Sequence, residues 1–389
     1  MNLPILDLKA QYQAIKEEIN EKVSAVLSSQ SFILGAEVDA LEKEIASLSG
    51  VKFGIGVSSG SDALIISLMA LGIGPGDAVV TTPFTFFATA GAIARVGAKT
   101  MFCDIDPKTY NIDPEKLEEL LQKAKRIRMI QKVKAIIPVH LYGQCADMDP
   151  LSASAKKYAL WVIEDAAQAV AAEYPSRKGT KRAGSMGTVG TLSFFPSKNL
   201  GGYGDGGMVL TDHPKLAAKL KCLRVHGGVN KHFYKLLGGN FRLDALQAAV
   251  LRVKLRHLEG WQKKRQERAA YYSLRFAETG LEKEGLVQPP ATVYKDSGVA
   301  YYHTFHQYVI RAKKRDELQA HLKERSIGTS IFYPLPLHLQ KCFSSLGYKR
   351  GDFPVSEKAA KEVLALPIYP ELTPEQQDGV ISCIKEFYG

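Results

Sequence analysis

Between residues 50 and 211 the chain alternates short apolar runs with stretches of helical period. The runs are rich in β-branched residues, which is typical of buried strands. They lie at residues 53–57, 78–81, 100–103, 135–139, 161–163, 191–194 and 208–211. This alternation predicts an α/β fold with a largely parallel sheet covered by helices on both faces. Ligands of such sheets bind beyond the carboxyl ends of the strands, so the functional side chains should follow these runs.

The pattern changes in the last third of the chain. An amphipathic helix is predicted over residues 243–258, and a charged helix from 260 to 266 leads out of the first domain. Strands at 308–311 and 329–332 and a helix at 314–324 then indicate a small α+β unit. The final helix has Thr373 as N-cap, Pro374 after it and Gln376 for a capping box. We therefore predict a large domain over 1–260 and a small C-terminal domain over 261–389.

Composition places the chain among ordinary globular proteins. Apolar residues make up 46% and charged residues 23% of the 389 residues. No run approaches the roughly 20 apolar residues that span a bilayer, and the start lacks the pattern of a secretory signal. The five cysteines are odd in number and never in metal-ligand spacing, so neither disulfides nor a metal site are predicted. These features favour a cytoplasmic protein that does not act at a membrane.

The net charge of +11, from 51 Lys and Arg against 40 Asp and Glu, favours anionic partners. The basic runs lie mostly within helical patterns, where solvated helix faces explain them. No zinc-finger, RNA-recognition or helix-turn-helix signature accompanies them, so nucleic-acid binding is only a remote alternative. A phosphorylated small molecule fits the charge as well.

A single lysine, Lys198, stands between an apolar run and a glycine-rich loop in the segment SFFPSKNLGGYGDGG at 193–207. Glycine permits tight turns and close approach to a ligand, and a lysine removed from water can act as a nucleophile toward a carbonyl. Imine formation with pyridoxal phosphate is the chemistry that this setting suggests. Taken alone, the segment is equally well explained as a surface turn with a solvated lysine.

Pyridoxal phosphate also needs an acid for its ring nitrogen, a phosphate cup and a flat surface. Asp165 follows the fifth predicted strand and can keep the ring nitrogen protonated. The turn at residues 59–61 opens a helix whose free N–H groups favour an anion, and the Ser193 hydroxyl can add a donor. Flat surfaces are offered by Phe84, Phe86 and Phe87. Each feature has a plainer explanation, as a turn residue, an N-cap or core packing, but their order along the chain favours the site.

Several segments resemble the DegT/DnrJ/EryC1/StrS family of nucleotide-sugar aminotransferases. They are SGSDAL at 59–64, PFTFFAT at 83–89, PVHLYGQ at 138–144, EDAAQ at 164–168, SFFPSKNL at 193–200, GNFRLDALQAA at 239–249 and YPLPLH at 333–338. The resemblance covers nearly the whole chain in the right order. It implies the aspartate-aminotransferase fold, fold type I, with a small C-terminal domain.

The resemblance also implies a role for each matching residue. Lys198 corresponds to the catalytic lysine that forms the Schiff base with pyridoxal phosphate. The implied cofactor contacts are Asp165 at the ring nitrogen, Gln168 against the ring, Phe86 stacked on it, and Gly60, Ser61, Ser193 and Asn240 at the phosphate. Asn240 would reach the phosphate from the other subunit of a homodimer. The implied amino donor is glutamate, the acceptor is a nucleoside-diphosphate keto sugar, and pyridoxamine phosphate carries the amino group between them.

Sugar contacts are implied for residues 329–338, with Tyr333 and His338 as candidates. Phe332 stands where members acting on 3-keto sugars often have a histidine, so hydrogen bonding from that position is lost or passes to Tyr333. A proline-rich interdomain loop explains the same residues. The segment favours a 3-keto over a 4-keto sugar and leaves the choice between UDP and dTDP open.

Two alternatives accompany the aminotransferase hypothesis. Relatives that dehydrate sugars with pyridoxamine phosphate have a histidine at the lysine position, and this chain has Lys198, which favours transamination. A sensor or regulator that binds pyridoxal phosphate without turnover would not need both Asp165 and Lys198 beside a phosphate cup. The preferred prediction is therefore an aminotransferase of amino-sugar or polysaccharide biosynthesis.

Overall fold

The computed structural model describes residues 2–230 and 232–389. Two helices begin the chain, α1 at Leu8–Ser29 and α2 at Ala36–Ser49. The Asp7 carboxylate accepts from the amides of Lys9 and Ala10 and so caps the first helix. Both helices pack against the long helix α8 at Ala245–Thr279, so the N-terminal segment braces the first half of that helix.

A seven-stranded sheet forms the centre of the large unit. Its strands in chain order are β1 at Phe53–Val57, β2 at Ala78–Thr81, β3 at Lys99–Phe102, β4 at Val133–Ile136, β5 at Trp161–Asp165, β8 at Val189–Ser193 and β9 at Gly207–Thr211. A separate hairpin, β6 at Glu173–Ser176 and β7 at Gly179–Arg182, lies between β5 and β8 in the chain. The spatial order is β1-β9-β8-β5-β4-β2-β3, and β9 alone runs antiparallel to its neighbours. The mostly parallel α/β sheet predicted from the alternating pattern is confirmed.

Helices cover this sheet, as the alternation predicts. They are α3 at Gly60–Ala70, α4 at Phe87–Arg95, α5 at Pro114–Arg126, α6 at Met148–Lys157 and α7 at Pro214–Arg224. The strands themselves are almost wholly buried, which explains why they read as continuous apolar runs. After α7 the chain forms an exposed hairpin, β10 at Gly228–Asn230 and β11 at Phe233–Tyr234.

The two helices predicted at 243–258 and 260–266 are one continuous helix, α8, of 35 residues. Its first half contributes Leu251 and Leu258 to the large core, and its second half contributes Tyr272 and Phe276 to a second core. A buried face therefore continues through residue 260, and it includes two charged residues, Lys254 and Arg265. The domain boundary predicted there falls inside this helix.

The C-terminal unit combines a three-stranded antiparallel sheet with three helices. Its strands are β12 at Val287–Gln288, β13 at Tyr308–Ala312 and β14 at Val363–Leu366; its helices are α9 at Arg315–Glu324, α10 at Pro354–Glu362 and α11 at Pro374–Tyr388. The predicted strand at 329–332 is only an isolated bridge between Ser330 and Ala365. The capping box at Thr373 and Gln376 is present. Leu3 joins this second core from the other end of the chain.

No helix within residues 2–230 and 232–389 combines the length and the apolar character that crossing a membrane requires.

Candidate active site

A cavity of about 730 Å³ opens at the carboxyl ends of the parallel strands β1, β5 and β8. Eight of the residues singled out from the sequence line it: Gly60, Ser61, Phe86, Asp165, Gln168, Ser193, Lys198 and Tyr333. They come from the ends of two strands and the loops that follow them, the starts of two helices and a loop near the C-terminal unit. The ends of β1 and β5, more than 100 residues apart in the chain, meet here because β1, β8 and β5 run in the same direction within one sheet, with β9 between β1 and β8.

Lys198 lies five residues after the end of β8, in a turn closed by a hydrogen bond from its amide to the Phe195 carbonyl (2.8 Å). The side chain is half-buried and reaches the cavity. Removal of the amine from water lowers the pKa of Lys198 to about 8, and the negative charge of Asp165 opposes this shift. A much larger fraction of the amine than in an ordinary lysine is therefore neutral, and nucleophilic, near physiological pH.

Asp165 is the last residue of β5 and is 5% exposed. One carboxylate oxygen accepts from the Thr89 hydroxyl on α4 (2.8 Å), and the other accepts from the amide of Ala167 (3.2 Å). Two hydrogen bonds on a buried carboxylate fix its orientation toward the cavity. A buried acid held in this way suits a role opposite a positively charged ring nitrogen.

The start of α3 lies beside them and has the features of an anion site. The Ser59 hydroxyl accepts from the amide of Asp62 (3.0 Å) and caps the helix, while the amides of Gly60 and Ser61 donate no hydrogen bond within the described residues. A Cβ on Gly60 would lie 2.6 Å from the Ser193 Cβ, so only glycine lets this helix approach the end of β8. The free amides and the helix dipole favour a phosphate at this point.

Gln168 connects two tyrosines across the cavity wall. Its Oε1 accepts from the amide of Tyr142 (2.7 Å), and its Nε2 donates to the Tyr333 hydroxyl (3.1 Å). The Tyr142 hydroxyl in turn donates to the Phe332 carbonyl. Burial raises the pKa of the Tyr333 hydroxyl, which stays protonated. The loop around Tyr333 is thus held by side chains from two segments that follow strands of the sheet, Tyr142 after β4 and Gln168 after β5.

The three candidate aromatic residues differ in exposure. Phe84 is fully buried, whereas Phe86 is 56% exposed and faces the cavity with its ring centre 6.3 Å from that of Tyr333. Phe87 also lines the cavity and packs against Phe343 with 5.7 Å between ring centres. Phe86 therefore offers the free ring face on which a planar ligand can stack.

The model of the DegT/DnrJ/EryC1/StrS aminotransferase family matches residues 13–385. The chain belongs to this family. The resemblance inferred from the motifs is confirmed, and the fold is that of the family's solved members. The chain is a pyridoxal phosphate-dependent aminotransferase.

Three curated relatives are similar in sequence to this family member over almost its whole length. It is 53% identical over 388 residues to the "Pleiotropic regulatory protein" of Geobacillus stearothermophilus, covering 100% of this chain and 99% of the relative. It is 41% identical to the UDP-N-acetyl-3-dehydro-alpha-D-glucosamine 3-aminotransferase of Acidithiobacillus ferrooxidans (98% and 97% covered). It is 38% identical to the dTDP-3-amino-3,4,6-trideoxy-alpha-D-glucose transaminase of Streptomyces venezuelae (99% and 96% covered).

Two solved structures of similar proteins bear on the cofactor. DesV of S. venezuelae, in complex with a ketimine intermediate, is 36% identical with a TM-score of 0.90, covering 99% of this chain and 98% of that one. NtdA of Bacillus subtilis, with bound cofactor PMP, is 32% identical with a TM-score of 0.84, covering 95% and 81%. Both are similar to this aminotransferase along nearly its full length.

The residues of the cavity fit pyridoxal phosphate. A lysine of lowered pKa, a buried and oriented carboxylate and a pair of unpaired helix-start amides lie in one cavity. The close approach of Gly60 to Ser193 brings the anion site to the end of β8. An aldehyde, a ring nitrogen and a phosphate on one molecule need this combination of groups.

Two predicted residues of the aminotransferase do not line the cavity. Asn240 is exposed beside the β10–β11 hairpin, where its backbone bridges to Val225, and it does not line the cavity of its own chain. His338 is buried, with its Nε2 3.2 Å from Glu357 Oε1 and its ring packed on Phe353. Within one chain, therefore, the structure brings together Tyr333 and the other residues predicted to contact the cofactor, but not these two.

Sequence patterns missed other lining residues. Ile5 and Leu6 from the N-terminal segment and His306 from the C-terminal unit lie in the cavity wall. None of them stands in a motif or follows a predicted strand of the large sheet. The histidine doublet at His303 and His306 was a weak signal, because buried histidines are more often structural than functional.

Proposed function

We propose that this aminotransferase moves an amino group from glutamate to the 3-keto group of a nucleoside-diphosphate sugar. Relatives of 41% and 38% identity are named for amino groups at C3 of UDP-linked and dTDP-linked sugars. The net charge of +11 suits a substrate that carries a diphosphate. The product would be an amino sugar for a polysaccharide or a glycoside.

One observation carries the proposal: Lys198, Asp165 and the amides of Gly60 and Ser61 converge on one cavity that is large enough for a cofactor and a sugar. The cavity of about 730 Å³ lies within the range of small-molecule sites. A protein that only bound the cofactor would need the phosphate cup but not a lysine of lowered pKa beside a buried acid.

The chain's own groups divide the work of transamination. Pyridoxal phosphate, when bound, supplies an aldehyde carbon that takes up the amino group and a ring that withdraws electrons from the substrate carbon. Asp165 would hold the ring nitrogen, the amides of Gly60 and Ser61 with the Ser193 hydroxyl would hold the phosphate, and Phe86 and Gln168 would orient the ring.

Lys198 is the proposed proton carrier. Its Nζ would hold the cofactor before the amino donor arrives, and once released it would accept the proton from the donor's α-carbon and return it to the aldehyde carbon of the cofactor. A pKa of about 8 suits this task, because the amine can then both accept and release a proton near neutral pH. The keto sugar receives the amino group by the reverse sequence.

Sugar recognition is proposed for Tyr333, whose hydroxyl lies at the cavity wall beside Gln168. Phe332 offers no hydrogen bond from its side chain, so Tyr333 would take over that contact. His338 remains a prediction as a sugar contact, with its Nε2 directed toward Glu357. The division into domains at residue 260 and the cytoplasmic location likewise remain predictions.

A homodimer is proposed to complete each site. Near Asn240 the exposed apolar side chains Phe233, Tyr234 and Leu237 are 70%, 63% and 93% exposed, which is costly unless another surface covers them. A second copy of the chain that covered this hairpin could bring Asn240 to the phosphate of its neighbour.

Subunit mixing tests the shared site. Lys198→Ala and Asn240→Ala variants, each inactive, are unfolded together, refolded and assayed. If Asn240 acts on the partner's site, half of the dimers are hybrids with one intact site, so about a quarter of wild-type activity returns. No recovery in a mixture whose hybrid dimers are verified by mass would refute the shared site.

The relative of 53% identity is named a pleiotropic regulatory protein, which favours a regulator as the second candidate function. The two functions make different predictions for an assay with glutamate alone. A transaminase converts about one equivalent of glutamate per site to 2-oxoglutarate before it needs an acceptor, whereas a binding protein produces none. A dehydratase is disfavoured because its relatives have a histidine where this chain has Lys198.

A further inference from the structure

His306 is a polar residue of the cavity wall to which the proposed mechanism gives no role. It comes from the segment just before β13 and is 9% exposed. Its Nδ1 lies 3.2 Å from Oδ1 of Asn199, the residue that directly follows Lys198 in the chain. The Asn199 amide group is oriented by its own Nδ2, which donates to the Thr304 carbonyl (2.8 Å). Because Oδ1 can only accept, Nδ1 of His306 must carry the proton.

The other ring nitrogen, Nε2, is then a lone-pair acceptor. No group within residues 2–230 and 232–389 forms a hydrogen bond with it, although the residue lines the cavity. Some buried side-chain nitrogen and oxygen atoms of the chain have neither a hydrogen-bond partner nor contact with solvent, and Nε2 of His306 is not one of these. The acceptor is therefore open to the cavity, where a bound molecule can reach it.

The surroundings keep this imidazole neutral. Burial and the positive charges of Lys198 and Arg265 hold the pKa of His306 well below its ordinary value. Arg265 on α8 is itself buried and donates to the carbonyls of Phe305 and Ile368 (both 2.9 Å). Two carboxylates line the cavity, Asp165 and Asp205, and Asp165 is already bound by the Thr89 hydroxyl and the Ala167 amide. A lowered pKa favours the neutral imidazole, in which Nε2 is an acceptor.

The chemistry of the two substrates decides which of them needs this acceptor. Glutamate, after its amine has reacted, presents carboxylates, and these require donors or cations. A sugar presents hydroxyl groups, whose hydrogens require acceptors. The side chain of Gln168 is occupied by Tyr142 and Tyr333. We propose that His306 is a specificity-determining residue that accepts a hydrogen bond from a hydroxyl group of the keto sugar through Nε2, an inference that rests on the proposed function.

Separate half-reactions test this proposal. The holoenzyme is mixed with glutamate in one stopped-flow experiment, and the aminated enzyme is mixed with a UDP-linked or dTDP-linked 3-keto sugar in another; cofactor absorbance follows both. Each half-reaction gives a value of kcat/KM, and the quantity compared is the value for the sugar divided by the value for glutamate. His306→Phe loses one neutral hydrogen bond to the sugar, so this ratio should fall about tenfold. In His306→Gln, which keeps an acceptor oxygen, the ratio recovers to within about threefold of wild type.

His303→Phe is the matched control. His303 is also buried in this segment, its Nδ1 accepts from the Phe305 amide (2.9 Å), and it does not line the cavity. Damage to the segment should slow both half-reactions together and leave the ratio unchanged. An equal loss in both half-reactions for His306→Phe would overturn the inference, because it would mean that His306 acts on Lys198 or on the cofactor. If wild type aminates none of the sugars, the proposed function itself fails, and the inference fails with it.

Discussion

The lowered pKa of Lys198 leads to a quantitative prediction about its reactivity. With a pKa of about 8 instead of the ordinary 10.5, the neutral fraction of the amine at pH 7 rises from about 0.03% to about 9%, a gain of ~300-fold. Asp165→Asn removes the negative charge that opposes the shift, so in this variant the pKa should fall further. The change acts on the lysine before any cofactor is bound.

Competitive trace labelling measures this pKa directly. The cofactor-free enzyme and N-acetyl-lysine, as internal standard, are labelled together with trace acetic anhydride between pH 6 and 11. Mass spectrometry of the peptide that contains Lys198 gives the extent of labelling, which is proportional to the neutral amine. We expect a midpoint near pH 8 for wild type and a lower midpoint for Asp165→Asn.

Two results would refute the reasoning. A wild-type midpoint close to that of N-acetyl-lysine would show that the Lys198 amine is solvated like that of an ordinary surface lysine. A midpoint that rises in Asp165→Asn would show that the carboxylate does not stabilise the ammonium form. A Lys198→Ala variant, which lacks the labelled amine, confirms the assignment of the peptide.

Three further predictions follow from the packing. Gly60→Ala places a Cβ 2.6 Å from that of Ser193 and should weaken the binding of pyridoxal phosphate to the cofactor-free enzyme about tenfold. A fluorescence titration measures this affinity, and an unchanged value would argue against the anion site. Gly260→Ala, its matched control in open space on α8, should leave that affinity unchanged and raise the free energy of unfolding by about 1 kcal/mol. The Asp104 carboxylate accepts from the amides of Val355 and Ser356 and from the Ser356 hydroxyl, at the start of α10. Asp104→Ala removes these acceptors, so the free energy of unfolding measured with denaturant should fall by about 2 kcal/mol. A fall of less than about 0.5 kcal/mol would contradict the capping role of Asp104.

The cofactor cavity was largely predictable because its parts lie at strand ends. Asp165 ends β5, Gly60 begins the helix after β1, and Lys198 follows β8. A parallel sheet brings these ends to one edge, so their mutual proximity follows from the alternation of apolar runs and helices. The motif resemblance then selected Phe86 over Phe84, and the exposure of the two rings agrees with that choice.

Other features depend on contacts that no local pattern records. His306 enters the cavity wall only because the segment before β13 packs between Gly143 and Asn199. The helix predicted to end near residue 258 continues to Thr279, since its buried face passes from one core to the next without a break in period. Leu3 joins the C-terminal core through pairing with Ile327, a contact across more than 300 residues of chain.

The central claim is that this family member transfers an amino group to a nucleotide-linked 3-keto sugar. Its most direct test incubates the purified holoenzyme with glutamate and a panel of UDP-linked and dTDP-linked 3-keto and 4-keto sugars, followed by mass spectrometry of the products. We predict 2-oxoglutarate and an amino sugar in equal amounts, with a 3-keto sugar as the preferred acceptor. A fully loaded enzyme that forms no amino sugar from any member of the panel would contradict the claim.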